Sequence, residues 1–472
     1  MKNRLLRTIL MATAFIMTVP ALAWAEESAE AVVETAATVD TGDTAWVLAS
    51  AALVMLMTLP GLALFYGGLA RKKNVLSTIM YSFFAMVLIS LQWSLWGYSL
   101  AFGPDVNHII GNLDWVGLKS VGLVPNPDYS ATIPHQAFMI FQMMFAVITP
   151  ALISGAFAER MRFPAFMAFL LLWATFVYDP VAHWVWGVDG WLRNLGALDF
   201  AGGTVVHILS GVSGLVACLV LGKRKGFGNE PMIPHNLPFT VLGAALLWFG
   251  WFGFNAGSAL GANGLAASAF VVTHLATAAA AFSWVVAEWI HHGKPTTLGA
   301  ASGAVAGLVA ITPASGFVEP LPAIIIGLVA GAVCYIAVGV VKAKLRYDDA
   351  LDAFGVHGIG GTWGAIATGL FATTTVNELG ADGLFYGNAG LLGKQFIAIG
   401  ASWAMAIAGT FVILKVISIF IKLSATDEEQ DTGLDFTQHG EDAYTDFVLS
   451  ASPFGSASIP AVKTSSEVKP AL

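Results

Sequence analysis

The chain has 472 residues, of which 57% are hydrophobic and only 11% are charged, and its formal net charge is −8. An ordinary soluble domain carries about 25% charged residues, so this composition excludes a soluble globular protein. The apolar residues form uninterrupted stretches of roughly 20 residues, the length that a helix needs to cross about 30 Å of hydrocarbon. The sequence therefore predicts an all-α polytopic membrane protein.

The first 25 residues have the three parts of a secretory signal peptide. MKNRLLR is basic, TILMATAFIMTVPAL is apolar, and Ala23-Trp24-Ala25 fits an A-x-A cleavage site. Because the apolar part is short, we favour a cleaved signal peptide over a first transmembrane helix. The mature chain would begin outside at Glu26, in a periplasm of Gram-negative or cyanobacterial type, with residues 26–43 as a periplasmic segment.

Eleven further apolar spans are expected to form a transmembrane domain over residues 44–422. Their predicted bounds are 44–70, 75–102, 135–158, 163–183, 201–222, 238–260, 264–291, 298–313, 321–342, 354–374 and 391–422. Cys218 and Cys334 both fall inside these spans, so we read them as small core residues and expect no disulfide framework.

Basic residues alternate between the loops. Arg71-Lys72-Lys73 and Lys223-Arg224-Lys225 lie on one side, whereas the opposite loops contain only Lys119, Arg193 and Lys394. Cytoplasmic loops carry the excess of Lys and Arg. We therefore predict a protein of the plasma (inner) membrane with its mature N-terminus outside and a cytoplasmic tail over residues 423–472.

An internal repeat links the fifth and tenth spans. Ala197-Leu198-Asp199 precedes one, and Ala350-Leu351-Asp352 precedes the other. His207 and His357 are each followed by glycines at +4 and +7, on the histidine's own helix face. Five spans is an odd number, so the two halves would insert with opposite orientation, as in transporters whose site lies at the repeat interface. Chance similarity between two glycine-rich segments is the alternative.

Several sequence blocks carry a resemblance. They are DFAGGTVVHILSGVSGLVACLVLGKR (199–224), PGLALFYGGLARKKNVLS (60–77), GAFAERMRF (155–163), HNLP (235–238), WFGFNAGSA (251–259), FGVHG (354–358) and GLDFTQHGEDAY (433–444). Together they resemble the ammonium transporter family, the Amt branch of the Amt/Mep/Rh proteins, from about residue 44 to 445. The resemblance implies a homotrimer of eleven-helix protomers, each with its own pore for ammonium, ammonia and methylammonium.

Aromatic residues near the predicted outer ends form one candidate site. The resemblance implies that Phe141, Phe145, Trp186 and Ser258 recruit ammonium, and that Phe145 and Phe254 stack as a gate below. On physical grounds, an aromatic face attracts a cation by roughly 0.5 to 2 kcal/mol. Phe141 and Phe145 share a helix face, as do Phe254 and Ser258, and Trp186 is expected just beyond the outer end of the fourth span. An interfacial aromatic belt with ordinary core packing is the alternative.

The two histidines form a second candidate site. An ionisable side chain inside the membrane usually marks a pathway, and a neutral imidazole can hydrogen-bond ammonia or pass a proton on. The resemblance implies that His207 and His357 lie side by side in the pore. At 1.5 Å per residue, however, His207 lies about 9 Å below an outer helix start and His357 about 5 Å above an inner one. They would meet only if both helices begin deep in the protein. Two ordinary core histidines are the alternative.

Each of the supporting residues has more than one possible role. Asp199, directly before a helical run, is read as an N-cap or as an attractor of cations, and Asp352 is expected to do the same at the inner end. Tyr66, Tyr178 and Thr312 match family positions near the outer path, or else cap or bond their neighbours. The sequence has no HExxH motif, nucleophile elbow or phosphate loop, so we expect neither an enzyme nor a bound metal or cofactor.

The acidic tail, residues 426–444, is either a solvated charge run or an ordered segment. The resemblance favours order, with the tail coupling the protomers and a P-II signal protein as a possible partner. No nucleic-acid partner is expected. An Rh-like channel for another small neutral gas and an ammonium sensor remain the alternative functions.

Overall fold

The computed structural model describes residues 38–444. The signal peptide predicted for residues 1–25 and the end of the tail, residues 445–472, lie outside the described residues. The described residues form these main helices: α1 Thr41–Leu69, α2 Lys72–Phe102, α3 His135–Phe157, α4 Phe163–Trp173 continuing through Ala174–Tyr178 and Asp179–Trp186, α5 Gly203–Leu221, α6 Leu237–Gly257, α7 Gly264–His292, α8 Thr297–Ile311, α9 Pro320–Leu345, α10 Phe354–Gly358 continuing through Ile359–Phe371, α11 Ala389–Phe420 and the short α12 Asp427–Thr432.

Each of the eleven predicted spans overlaps one of the helices α1 to α11. Nine of the helices in the described part of the chain are long and apolar enough to cross a membrane, while α8 is a shorter apolar helix. The molecule is therefore a multi-pass helical membrane protein. The loop between α2 and α3 adds two short antiparallel pairs, β1 Asp105–Val106 with β2 Ile110–Gly111 and β3 Pro125–Asn126 with β4 Ser130–Pro134.

Helix α4 extends further at its C-terminal end than predicted. We expected the span to end at residue 183, but the continuous helix runs to Trp186 before the chain turns at Gly187. A short helix, Trp191–Leu195, follows after this turn. The predicted position of Trp186 beyond the helix is therefore wrong, because the apolar pattern does not reveal where a polar-flanked helix stops.

Both histidine helices begin inside the protein. Residues 201–208 and 353–358 are buried without exception. The first turns of α5 and α10, Gly203–Ile208 and Phe354–Gly358, are wide π-helical turns, and each contains its histidine. Such turns are rare and often occur at functional sites. The deep starts supply the condition under which His207 and His357 can meet.

Glycines bring the two histidine helices into contact. A Cβ atom added to Gly211 would lie 2.0 Å from the backbone nitrogen of Gly358, and one added to Gly361 would lie 2.8 Å from the Cβ of His207. Real Cβ atoms do not approach other atoms so closely, so only glycine fits at these crossings. The glycine at +4 from each histidine therefore lets the backbones of α5 and α10 pack directly against each other.

Candidate functional site

An outer cavity of about 210 Å³ contains three of the four residues predicted to recruit a cation. Phe145, Trp186 and Ser258 all line it. Phe141 does not line this cavity: it is fully buried and packs edge-on against Phe145 with ring centroids 5.0 Å apart. The rings of Phe145 and Trp186 also meet edge to face, at 5.8 Å. The cavity thus has aromatic walls and a hydroxyl group.

A pair of phenylalanine rings closes the bottom of the outer cavity. The centroids of Phe145 and Phe254 lie 4.3 Å apart with their planes 35° from parallel, and both side chains are buried. Phe145 lines the outer cavity and Phe254 lines a second, smaller one. The two rings therefore separate the two spaces.

The second cavity has a volume of about 10 Å³ and is lined by both histidines. The Nδ1 atoms of His207 and His357 lie 3.3 Å apart, and their rings are 25° from parallel. His207 also stacks on Trp251, whose indole N–H donates to the hydroxyl of Thr312 over 2.9 Å. In the described part of the chain, the Nε2 atom of His207 has no hydrogen-bond partner. Because a hydrogen bond needs one donor and one acceptor, the two facing Nδ1 atoms share one proton.

A third cavity of about 50 Å³ continues from the histidines to the opposite side. His357 lines both the second and the third cavity. Tyr66 also lines the third cavity, and its hydroxyl donates to the carbonyl of Leu152 over 3.0 Å. Tyr66 therefore lines a different cavity from Phe145, Trp186 and Ser258, although we expected it near the same path. Tyr178 is buried and packs against Trp93, with ring centroids 6.1 Å apart.

Asp199 binds the start of helix α5. Its carboxylate accepts the backbone N–H groups of Gly202, Gly203 and Thr204 at 2.7 to 2.8 Å. Its own carbonyl accepts the indole N–H of Trp186 over 2.9 Å. Burial raises the pKa of the Asp199 carboxyl group. Asp199 thus caps α5 and positions Trp186, and its side chain does not line any of the three cavities.

The sequence and the fold are similar to those of known proteins. Residues 45–444 match the Ammonium Transporter Family. An ammonium transporter of Bacillus subtilis is 62% identical over 405 residues, which cover 86% of this chain and 99% of the relative. The crystal structure of Saccharomyces cerevisiae Mep2 is similar with a TM-score of 0.78 at 40% identity, covering 83% of this chain and 90% of that chain. The chain belongs to the ammonium transporter family.

A further relative in the ammonium transporter family comes from Aquifex aeolicus. It is 50% identical over 410 residues, which cover 86% of this chain and 94% of the relative. The relatives from Bacillus subtilis and Aquifex aeolicus are both ammonium transporters. Among the residues that the structure describes, no cluster of three or more His, Cys, Asp or Glu side chains is arranged to hold a metal ion.

In this ammonium transporter the cap of α10 is Asp349, and the prediction for Asp352 is wrong. The Asp349 carboxylate accepts the backbone N–H groups of Ala353 and Phe354 at 3.1 and 2.8 Å. Asp352 instead pairs with the ammonium group of Lys342 over 2.5 Å and lines the third cavity. Burial raises the pKa of Asp349 to about 6.

A constant spacing could have identified Asp349 from the sequence. Asp199 and Asp349 both stand eight residues before their histidines, whereas Asp352 stands only five residues before His357. The Ala-Leu-Asp tripeptide that precedes both helices does not mark the cap, because the cap depends on the distance from the histidine.

Buried ion pairs hold the segment that carries Asp349. The guanidinium of Arg224, just after α5, donates to the carboxylate of Asp348 over 2.7 Å. Arg160 donates to the backbone carbonyl of Asp348 over 2.6 Å and is only 1% exposed. Removing one partner of a buried pair leaves an uncompensated charge, which is strongly destabilising. The pairs therefore tie the end of α5 to the start of α10.

The described part of the tail is ordered against the helices. The Asp435 carboxylate accepts the backbone N–H groups of Leu76 and Ser77 at 3.0 and 2.7 Å, near the start of α2. Arg162 donates to Glu429 over 2.6 Å. This acidic segment is therefore a cap and an ion-pair partner, and not a freely solvated charge run.

Proposed function

We propose that this ammonium transporter binds NH₄⁺ in the outer cavity, separates one proton and conducts NH₃ past His207 and His357 into the cytoplasm. The observation that carries the proposal is the row of three cavities, in which an aromatic outer space leads through a phenylalanine pair to a narrow space between two histidines. Proton transfer is a separate step in this scheme, so the proton and NH₃ do not pass together as NH₄⁺.

The outer cavity suits a cation. Phe145 and Trp186 present ring surfaces, and a ring face attracts a cation by roughly 0.5 to 2 kcal/mol. The Ser258 hydroxyl donates its hydrogen to the carbonyl of Phe254 over 2.9 Å, so its oxygen can accept an N–H of the substrate. Phe141 supports Phe145 from behind. These four residues form the proposed recruitment site, and Phe145 with Phe254 forms the proposed gate.

The second cavity favours a neutral molecule. Its volume of about 10 Å³ is close to the smallest space that holds one water molecule. Apart from the two histidines, the residues around it are apolar or aromatic. A bare ion in such surroundings is very costly, whereas ammonia is small and uncharged. We therefore place the loss of the proton above the histidines.

The histidines offer hydrogen bonds without a fixed charge. When one Nδ1 atom donates to the other and each ring carries a single N–H, both rings are neutral, and the Nε2 atoms are not used in the contact between the rings. The unpaired Nε2 of His207 supports this role. The supporting residues act indirectly, because they hold the helix starts and the aromatic rings along the path. They are Asp199, Asp349, Tyr66, Tyr178 and Thr312.

The remaining expectations concern the cellular arrangement. The protein is a homotrimer with one pore per protomer in the plasma (inner) membrane, with a cleaved signal peptide, the mature N-terminus outside and the tail in the cytoplasm. A P-II signal protein that binds the cytoplasmic face would block the pores. Support comes from the alternation of basic loops and from the contacts of Asp435 and Glu429 with the helix ends.

Purified protein in proteoliposomes tests the function. We expect an ammonium-dependent current on a supported membrane, and a weaker one with methylammonium. Potassium at the same concentration should give none. A protein that produces no current and no internal pH change with either substrate is not an ammonium transporter of this mechanism. A pH change for a neutral gas alone would favour the Rh-like alternative.

A further inference from the structure

We infer that Gln142 supplies a second hydrogen-bond acceptor to ammonium in the outer cavity and sets the preference for ammonium over methylammonium. The inference rests on the proposed function and names a residue of the same site. Gln142 lies on α3, three residues before Phe145 and therefore on the same helix face. It lines the outer cavity together with Phe145, Trp186 and Ser258.

The amide oxygen of Gln142 is unpaired among the described residues. This Oε1 atom is shielded from solvent and has no hydrogen-bond partner within the described residues. Buried polar atoms in folded proteins are nearly always paired, so an unpaired one requires a reason. An amide that is held ready for a ligand is such a reason, because its acceptor is not already used by the protein. The terminal torsion of a glutamine is broad and roughly two-fold, so the amide can turn its oxygen towards the cavity.

Ammonium needs such an acceptor. The ion has four N–H donors and no acceptor, and the aromatic faces of Phe145 and Trp186 balance its charge without accepting directed hydrogen bonds at full strength. Ser258 offers one oxygen. A second oxygen from Gln142 would satisfy another N–H as the ion loses water. A neutral amide does this without competing for the proton that must later leave.

Methylammonium makes a different demand on the site. It has three N–H donors and one methyl group, and the methyl group needs no acceptor. Where ammonium must leave an N–H unpaired against an apolar wall, methylammonium can place its methyl group there. Loss of the Gln142 acceptor should therefore weaken the capture of ammonium more than that of methylammonium.

The test compares Gln142→Leu with Gln142→Glu and with Gln136→Leu. Gln136 lies on the same helix, but its amide donates to the carbonyl of Val121 over 3.1 Å and it does not line the outer cavity. The measurement is current against concentration for ammonium and methylammonium in proteoliposomes with equal amounts of each variant. Gln142→Leu should raise the apparent KM for ammonium about tenfold, with a smaller rise for methylammonium and an unchanged maximal current. Gln142→Glu and Gln136→Leu should keep a low KM.

The outcomes separate this inference from the proposed function. If the wild type carries no ammonium-dependent current, the proposed function fails. If the wild type is active and Gln142→Leu has an unchanged KM, or an equal rise for both substrates, Gln142 is only a packing residue and the inference is wrong. If Gln142→Leu gives too little protein, the same currents are measured with Gln142→Met. Methionine is unbranched like glutamine and also lacks the amide acceptor.

Discussion

Asp199 and Asp349 each lie eight residues before a pore histidine, and each accepts hydrogen bonds from the backbone N–H groups at the start of that histidine's helix. A helix start in the protein interior leaves several N–H groups without intrahelical partners, and a carboxylate satisfies two or three of them. The two aspartates therefore allow α5 and α10 to begin deep enough for His207 and His357 to meet.

Substitutions of Asp349 should separate its cap from its charge. Asp349→Asn keeps one of the two oxygens that accept the N–H groups of Ala353 and Phe354, whereas Asp349→Ala leaves both N–H groups unpaired at about 1 to 3 kcal/mol each. We expect the Ala variant to unfold at a clearly lower temperature in detergent, and the Asn variant to unfold between the Ala variant and the wild type at neutral pH. Equal loss in both variants would mean that the charge, and not the cap, matters.

The pH dependence of the same two proteins gives a second check. Burial raises the pKa of Asp349 from 3.8 to about 6 in the folded state, so folding favours the neutral form more than the unfolded chain does. The associated stability is fully present below about pH 4 and is lost as pH rises through about 6, by up to about 3 kcal/mol. Asp349→Asn should lack this part of the pH dependence. Thermal unfolding at about pH 4 and about pH 7 measures the difference, and parallel curves for both proteins would contradict it.

Replacing either pore histidine should change transport without unfolding the protein. His207→Ala or His357→Ala removes one partner of the Nδ1 contact and opens an apolar space, so ammonia conduction should be lost or selectivity against potassium should fall. His274→Ala is the matched control, since His274 lies in α7 and lines none of the three cavities. Ammonium and potassium currents, at equal yield of folded protein, provide the measurement. Unchanged rate and selectivity in both variants would make the histidines packing residues.

Trp186 and Phe254 should affect different kinetic constants. Trp186→Leu removes a cation-binding ring of the outer cavity, which should raise the apparent KM roughly five- to thirtyfold and matter most at low ammonium. Phe254→Ala removes one ring of the stacked pair and should change the maximal rate instead. Uptake against concentration distinguishes them. A Trp186→Leu variant with normal KM and a lower maximal rate would show that the cation does not bind at this indole.

Two oppositely charged side chains at the rim of the outer cavity should change the apparent affinity for ammonium. Arg193 and Asp128 both line the outer cavity and are exposed, and Arg193 donates to the carbonyl of Trp186 over 2.9 Å. Two unit charges in water interact by about 1 kcal/mol at 4 Å and about half that at twice the distance. Arg193→Gln should therefore lower the apparent KM about twofold at low ionic strength, and Asp128→Asn should raise it. Both effects should vanish in high salt, because exposed charges are screened.

The tail should affect stability and regulation but not capture. Asp435→Ala removes the acceptor for two N–H groups of α2, at a cost of about 0.5 to 2 kcal/mol, and should make the tail more sensitive to limited proteolysis. Asp442→Ala, at an exposed position, is the control. Deleting the chain from Asp431 onward should disturb coupling between protomers or inhibition by P-II while the KM for ammonium stays the same. A changed KM would place the tail's influence at the outer cavity.

The sequence predicted the helices well but not their depths. Length and hydropathy locate a membrane span because the hydrocarbon fixes both. They do not show where a helix begins relative to its neighbours, so the meeting of His207 with His357 could only be stated as a condition. The same limit explains Trp186, whose helix was predicted to stop too early, and Phe141, which was expected in the cavity and is packed behind it.

At the start of α10, the distance from the histidine identifies the capping residue better than the local sequence motif does. Asp352 matched its tripeptide, but the cap requires a fixed distance to the helix start, and only Asp349 has it. Arg224 belongs to the basic Lys223-Arg224-Lys225 loop, from which we predicted a side of the membrane. That pattern could not reveal that the Arg224 side chain is buried beside Asp348, because charge alone does not distinguish a solvated residue from an ion-pair partner.

The direct backbone crossing of Gly211 with Gly358 sets the separation of the two helices that carry the histidines. This separation depends on the main chain, whereas the chemistry between the helices is carried by two side chains that can be exchanged. Changes at 207 and 357 should therefore yield folded proteins with new solute preferences, a favourable starting point for directed evolution. Substitutions of Gly211 or Gly358 should instead prevent folding, so such variants could not be selected for a difference in transport.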